Sequence, residues 1–106
     1  MSAEFVASVR ARSKTLRIGT DGGWLIRVEV PDVWDVVRLE VPPTTPVRTV
    51  KGAALAELVS AGIDPDEFIT KLNGAEVLDE DQPLAAVGVE TGSVLLVTYR
   101  RRRPVR

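Results

Sequence analysis

Two runs of charged residues are the places in this sequence that could carry out chemistry. Asp79, Glu80 and Asp81 are consecutive acids, and carboxylate oxygens are the ligands that hard divalent cations prefer. Arg100 to Arg103 form a basic run that can bind phosphate, nucleic acid or an anionic surface. Acids without the spacing of a metal-binding loop usually form a solvated loop, and this is our interpretation of residues 78–82. We therefore predict no metal site.

The absence of two residue types restricts catalysis further. The chain contains no cysteine and no histidine, which excludes disulfides, thiolate nucleophiles, imidazole bases and zinc sites that use Cys or His ligands. Acid–base chemistry would have to rest on Asp, Glu, Lys or Tyr, and these form no recognisable catalytic cluster. We expect a protein that is not an enzyme and that needs no cofactor.

Charge is distributed unevenly along the chain. The formal net charge is −1, but all 15 Asp and Glu residues precede residue 100, whereas five of the 14 Lys and Arg residues fall after residue 99. Tyr99 is the one aromatic residue beside the basic run, and the rest of the chain is acidic, so nucleic-acid binding is disfavoured. The tail is then either a solvated segment or a contact for an acidic protein partner.

The length and the apolar pattern predict one domain without a membrane span. The chain has 106 residues, of which 44% are hydrophobic, and no apolar run approaches the ~20 residues that a spanning helix needs. Residues 9–17 are too basic for a signal peptide, so we expect a cytoplasmic location. We divide the chain into a flexible basic arm (1–15), a domain (16–99) and an Arg-rich tail (100–106). An extra strand or short helix is the alternative for the arm.

Alternating apolar and polar residues predict a hairpin in the first half of the domain. After a short alternation at residues 16–18 and a Gly-rich turn at residues 19–23, strands are predicted over Trp24–Val30 and Val36–Val41. Residues Trp24, Ile26, Val28 and Val30 share one face of the first strand. Trp34, between the strands, is either an exposed anchor for a partner or folds back over the hairpin edge.

A helix of about four turns is predicted next. Thr45 and Pro46 suit its N-cap and first turn, and Gly62 suits its left-handed C-terminal cap. Apolar residues recur at helical spacing at Val47, Val50, Ala54, Leu55 and Leu58. Gly52 inside this helix costs about 1 kcal/mol relative to alanine, so the helix must be stabilised by packing on a sheet.

The last third of the chain predicts a second hairpin and a final central strand. Strands over residues 67–72 and 75–77 flank Asn73-Gly74, the strongest short signal for a type I′ turn. Residues 83–87 suit a single helical turn closed by Gly88. Residues 93–99 contain a continuous apolar run, which suits a strand in the middle of a sheet.

This order and several local segments resemble ubiquitin. The resemblance rests on Glu40-Val41 before Val47–Lys51, on Gly62-Ile63-Asp64-Pro65-Asp66, on Leu78-Asp79-Glu80-Asp81 followed by Leu84 and Gly88-Val89, and on Ser93–Val97 followed by Arg100. It implies an α+β fold of the ubiquitin-like β-grasp type, with a mixed sheet of four to five strands packed on one helix. The Ala, Val and Arg usage suggests a bacterial or archaeal source, and the chain is similar to ubiquitin-like proteins of the YukD and EccD kind, linked to type VII secretion.

The departures from ubiquitin concern its chemistry and its partner-facing surface. Arg103 and Pro104 occupy the positions of the C-terminal Gly-Gly, and the rigid proline disfavours conjugation through a thin extended tail. Lys71 and Thr98 match an isoleucine and a valine of ubiquitin's apolar patch, so partners that recognise that patch should not bind here. Lys51 aligns with a ubiquitin lysine.

We therefore expect a module that docks non-covalently on protein partners, either ubiquitin-pathway-like or type VII secretion components. The predicted contact residues are Trp34, Arg38, Lys71, Thr98, Arg100, Arg101, Arg102 and Arg103. The first alternative is a protein modifier conjugated through a processed C-terminus. The second is a binder of nucleic acid or anionic surfaces through the arginine tail.

Overall fold

The computed structural model describes residues 15–19 and 23–100. Its strands are β1 (Thr15–Arg17), β2 (Trp24–Val30), β3 (Asp35–Val41), β4 (Phe68–Leu72), β5 (Ala75–Glu76) and β6 (Val94–Tyr99). The α-helix α1 spans Val47–Leu58, and short 3-10 helices span Pro31–Val33, Pro65–Glu67 and Leu84–Val87. The predicted arm up to residue 14, residues 20–22 of the predicted turn and the tail from residue 101 lie outside the described residues.

One mixed sheet contains all the strands that the described residues form, in the order β1-β3-β2-β6-β4-β5. β2 and β3 form the predicted antiparallel hairpin, and β6 lies in the interior between β2 and β4. The prediction of a central last strand is confirmed. The sheet has six strands, whereas the sequence implied four to five, because β1 adds a parallel strand outside β3. Leu16, opposite Leu39, packs against the core there.

The core lies between α1 and one face of the sheet. The alternation predicted from the sequence correctly indicates which residues of β2 and β3 lie on that face. Ile26, Val28 and Val30 are buried on β2, as are alternate residues of β3. β6 is buried at Leu95 and Val97, whereas Leu96 between them is only half-buried. The remaining core residues come from α1, from the first residue of β4 and from the segment around the 3-10 helix Leu84–Val87: Val47, Val50, Ala54, Leu55, Phe68, Leu84 and Val89.

The helix ends differ from the prediction. Pro46 is the N-cap of α1, with no side-chain hydrogen bond to it, so Thr45 is not the cap. The N–H groups of Val47 and Arg48 donate instead to carbonyl oxygens of residues 82 and 80, at 3.0 and 2.8 Å. This loop therefore caps the helix with backbone groups. The prediction of Gly62 as the left-handed C-terminal cap is also wrong, because Val59 is the C-cap and Gly62 has no positive φ.

The loop over residues 78–82 is not wholly solvated, which corrects the sequence interpretation at Glu80. Its side chain is 9% exposed and meets Lys51, whose side chain is 1% exposed, at 2.6 Å between Oε1 and Nζ. The same ammonium donates to the carbonyl oxygen of Phe68 at 2.8 Å. Lys51 lies at a core position of the helical pattern between Val47 and Leu55, so the spacing already contained this signal. The ion pair fixes the loop to α1, and the hydrogen bond to Phe68 fixes α1 to β4.

Backbone conformations at two turns confirm the predictions for them. Asn73 has φ 54° and Gly74 has φ 86°, and these left-handed values are those of the type I′ turn that joins β4 to β5. Gly88, with φ 99°, ends the 3-10 helix Leu84–Val87. A side chain with a Cβ would be strained at Gly88.

Two Gly→Ala substitutions are expected to change stability in opposite directions. A Cβ at Gly23 would lie 2.5 Å from the carbonyl oxygen of Val41, so Gly23→Ala forces the backbones apart and should cost about 1–3 kcal/mol. Gly52, within α1, has nothing within 4 Å of the added Cβ, so Gly52→Ala should stabilise by about 1 kcal/mol. Urea unfolding of both variants against the parent chain measures this. Equal midpoints for the two variants would contradict the close approach at Gly23.

Candidate interaction surface

The face of the sheet turned away from α1, here called the outer face, presents a mixed polar and apolar surface. It is formed by the residues that alternate with the buried ones along four strands: Leu25, Arg27, Glu29, Val36, Arg38, Glu40, Ile69, Lys71, Val94, Leu96 and Thr98. Leu25, Val36 and Val94 are exposed by 37–47%. Within the described chain, Arg17 pairs with Glu40 at 2.8 Å and the Thr98 hydroxyl donates to Asp32 Oδ2 at 3.4 Å, whereas the three apolar side chains remain exposed.

Trp34 lies at the tip of the β2–β3 hairpin. Its side chain is 93% exposed, so of the two interpretations of the sequence, packing back over the hairpin edge is wrong. The residue adopts φ 56° and ψ 42°, and its N–H donates to the carbonyl oxygen of Pro31 at 3.0 Å, which closes the 3-10 helix Pro31–Val33. The left-handed region is costly for a bulky residue. Neither burial nor backbone preference explains tryptophan at this position.

A groove runs from Trp34 along the outer face of the hairpin. One depression of about 330 Å³ is lined by Glu29, Pro31, Trp34, Asp35 and Val36. A second, of about 200 Å³, is lined by Arg27, Glu29, Val36 and Arg38. Because both contain Glu29 and Val36, they adjoin and form one groove. Two of the predicted contact residues, Trp34 and Arg38, therefore lie at opposite ends of the same groove.

Lys71 and Thr98 lie beside the C-terminal end of β6, in a separate depression. It measures about 400 Å³ and is lined by Ile69, Lys71, Glu76, Thr98, Tyr99 and Arg100. Lys71 is paired with Leu96, and Ile69 with Thr98, across β4 and β6. Lys71 and Thr98 are thus on the outer face, as expected, but apolar side chains occupy the neighbouring positions Ile69 and Leu96. The predicted residues form two separate patches.

Carboxylate and carbonyl groups hold the end of the last strand. The N–H of Tyr99 donates to Asp32 Oδ2 at 2.6 Å, and the N–H of Arg100 donates to the carbonyl oxygen of Glu67 at 2.7 Å. The Arg100 side chain also donates from Nε to the carbonyl oxygen of Asp66 at 3.2 Å. Arg100 is therefore attached to the domain. Arg101, Arg102 and Arg103 lie outside the described residues.

Arg48 joins two acids from different segments, Asp66 of the 3-10 helix Pro65–Glu67 and Asp81 of the loop after β5. Arg48 contacts Asp66 at 2.8 Å and Asp81 at 3.1 Å. Hydrogen bonds to Asp81 and then to Asp66 raise the pKa of the Arg48 guanidinium above its ordinary value. These groups are largely exposed, so each pair adds little stability. Within residues 15–19 and 23–100, no three acidic side chains are placed to hold a metal ion.

No helix in the described part of the chain is long and apolar enough to cross a membrane. No protein-family model matches the sequence. No curated protein matches it either.

Solved structures of similar shape are ubiquitin-like domains. The C-terminal ubiquitin-like domain of mouse tubulin-specific chaperone e matches with TM-score 0.61 and 22% identity, over 82% of this chain and 97% of that one. A ubiquitin-like domain of an Arabidopsis thaliana protein matches with TM-score 0.61 and 16% identity, over 84% and 89%. A design based on ubiquitin matches with TM-score 0.61 and 17% identity, over 82% and 100%. The chain therefore has the ubiquitin-like β-grasp fold, and identities this low establish the fold alone.

Proposed function

We propose that this protein is a ubiquitin-like interaction module that docks non-covalently on protein partners and performs no catalysis. The observation that carries this proposal is Trp34, which is almost fully exposed in a left-handed backbone conformation. Tryptophan is enriched among residues that dominate binding energy at protein interfaces. Strained backbone positions also concentrate at functional sites. Both features agree with an anchor residue held at the hairpin tip.

The groove beside Trp34 supplies the rest of the proposed contact. Val36 adds an apolar surface, and Arg38 adds a charge beyond it. An interface of this kind combines a desolvated anchor with a polar rim that fixes orientation. The depression at Lys71 and Thr98, together with Arg100–Arg103, is the second predicted contact region of the same module.

The cellular setting is also a proposal. The sequence favours a bacterial or archaeal cell and the cytoplasm, where the partners would be ubiquitin-pathway-like or type VII secretion components. Arg103 and Pro104 in place of a terminal Gly-Gly support docking over conjugation. Proline restricts the extended backbone that an activating enzyme would have to grip.

Affinity capture from the source cells tests docking against conjugation. The N-terminally tagged chain is expected to retain partners in native buffer and to release them in guanidinium chloride, because only a covalent adduct survives denaturation. Trp34→Ala should lose these partners. Leu78→Ala is the matched control, because Leu78 is also 85% exposed but lies in the loop after β5.

Three outcomes would contradict the proposal. Adducts that persist in denaturant, with a mass consistent with linkage through a trimmed C-terminus, would establish the modifier function instead. Partners retained equally by the Trp34 and Leu78 variants would remove Trp34 as the anchor. Capture that requires only residues 100–106 and is abolished by nuclease would establish nucleic-acid binding.

A further inference from the structure

The last strand ends beside the hairpin tip that carries Trp34. β6 runs parallel to β2, so both strands end at the same edge of the domain. The N–H of Tyr99 donates to Asp32 Oδ2 at 2.6 Å, and Asp32 belongs to the 3-10 helix Pro31–Val33 that the Trp34 N–H closes. The Arg-rich tail therefore begins next to the turn that holds Trp34.

The tail is long enough to reach the exposed indole. Asp32 and Trp34 are two residues apart, so their Cα atoms lie within about 7 Å of each other. Residues 101–106 span about 20 Å when extended. Trp34 is 93% exposed, so the described residues leave its ring open to contact. The tail can cover it without any rearrangement of the domain.

The depression at Trp34 suits the composition of this tail. Among the described residues, it is lined by two acids, Glu29 and Asp35, and by three apolar residues, but by no basic one. The carboxylate of Asp32 is also exposed next to Trp34. Residues 101–106 contain four arginines, Pro104 and Val105. Guanidinium groups stack on tryptophan faces, and the Pro-Val pair can pack on the apolar part of the depression.

The acids contribute charge rather than vacant hydrogen-bond positions. Asp35 accepts the N–H of Val36 at 2.9 Å, Asp32 accepts that of Tyr99, and Glu29 also lines the depression that contains Arg27. Each attraction to the tail is therefore modest and sensitive to salt. The short connection compensates, because it gives the tail a local concentration in the mM range.

A second acidic surface lies on the other side of the point where the tail begins. Asp66 and Glu67 line a depression there of about 80 Å³, against about 330 Å³ at Trp34. Asp66 is already paired with Arg48 at 2.8 Å. The surface at Trp34 is thus larger, and its acids have no arginine among the residues that line it.

We propose that residues 101–106 of the same chain occupy the depression at Trp34 in the free protein, with an arginine stacked on the indole. A partner that takes Trp34 as its anchor must then displace the tail, which releases the arginines for the second contact region. The contact itself is independent of any partner. Only its competition with partners rests on the proposed docking function.

Acrylamide quenching of Trp34 fluorescence in the full chain tests the contact. The chain has two tryptophans, so Trp24→Phe leaves Trp34 as the only one, and acrylamide is neutral. In this background R101S/R102S/R103S should raise the quenching constant about twofold, because a stacked guanidinium covers one of the two ring faces. Salt at about 1 M should raise the constant of the unsubstituted tail in the same way.

A second measurement keeps the test valid if Trp24→Phe does not fold. With both tryptophans present, the indole N–H signal that Trp34→Phe removes belongs to Trp34. This signal should shift in R101S/R102S/R103S. Glu29→Gln should reduce the effect of the tail, because it removes a carboxylate from the depression. Glu57→Gln is the control, since Glu57 is exposed on α1 and lies across the sheet from the outer face; it should leave the effect unchanged.

The outcomes separate this contact from the docking function. An unchanged quenching constant and indole signal in the tail variant would overturn the contact and leave docking to the capture experiment. A tail effect that is equal in Glu29→Gln and Glu57→Gln would overturn the acidic depression as its site. An effect lost on dilution would assign the tail to a second copy and overturn the intramolecular contact. Failure of the capture experiment with a persistent tail effect would count against docking alone.

Discussion

Glu80→Gln is expected to lower the free energy of unfolding by about 3–5 kcal/mol, the range found when one partner of a buried ion pair is removed. Lys51 is 1% exposed, so water cannot replace the lost carboxylate. The amide of glutamine preserves the volume and one acceptor but not the negative charge. The ammonium would keep its hydrogen bond to the carbonyl of Phe68 and lose its counterion. This effect is large relative to the 5–15 kcal/mol that a whole domain typically has.

A double-mutant cycle distinguishes the ion pair from the loss of loop packing. Lys51→Met removes the buried charge, and K51M/E80Q should therefore recover most of the stability that Glu80→Gln loses. Urea unfolding gives the four free energies. Glu57→Gln, at an exposed carboxylate of α1, is the control and should fall within about 0.5 kcal/mol of the parent.

Either of two results would show that the fold does not require the buried ion pair. The first is a Glu80→Gln loss no larger than that of Glu57→Gln. The second is a double variant as unstable as the two single losses added together. If Glu80→Gln does not fold at all, recovery of a dispersed amide spectrum in K51M/E80Q still tests the charge argument.

Trp34→Gly is expected to raise stability and to reduce partner binding. Glycine adopts φ 56° without the roughly 1–2 kcal/mol that a left-handed conformation costs other residues. At 93% exposure, the indole contributes almost no packing that could be lost. After the greater entropy of glycine in the unfolded chain is subtracted, a net gain of about 0.5–1 kcal/mol should remain.

Binding should change in the opposite direction. Truncation of a tryptophan hot spot costs about 2 kcal/mol or more, which is about 30-fold in affinity. The measurement pairs urea unfolding with calorimetric titration of a partner retained in the capture experiment. Leu78→Gly is the control, since Leu78 is exposed but has no positive φ to relieve. It should bind like the parent chain and be no more stable.

A Trp34→Gly variant that is less stable than the parent would show that the indole supports the hairpin. One that is more stable but binds normally would remove Trp34 from the interface. Together, a gain in stability and a loss of affinity are the signature of a residue kept for binding at the expense of the fold.

The sequence determined the elements whose signals are local. Alternation along β2 and β3 predicted which side chains are buried, because successive residues of a strand point to opposite faces. Asn73-Gly74 predicted its turn, since few residues tolerate two consecutive positive φ values. The ubiquitin-like arrangement was implied by the resemblance of this order, and of several local segments, to ubiquitin.

Only the tertiary structure decided features that depend on distant contacts. The N–H groups that begin α1 are satisfied by the loop before residue 84, so the local cap expected at Thr45 is not used. Glu80 looks like one acid in a solvated run until Lys51, from a segment far away in the chain, is placed against it. β1 pairs with β3 rather than with its nearest neighbour in sequence.

The same distinction between local and distant information applies to the residues of the candidate site. Sequence composition identified Trp34 and Arg38 as contact residues, but it could not place them at two ends of one groove, nor separate them from Lys71 and Thr98. Local patterns determine which face of a strand a residue occupies, whereas the neighbours across a sheet are fixed by strand pairing between distant segments. For that reason, the fold could be predicted from the sequence, and the surface proposed for binding had to be found in the structure.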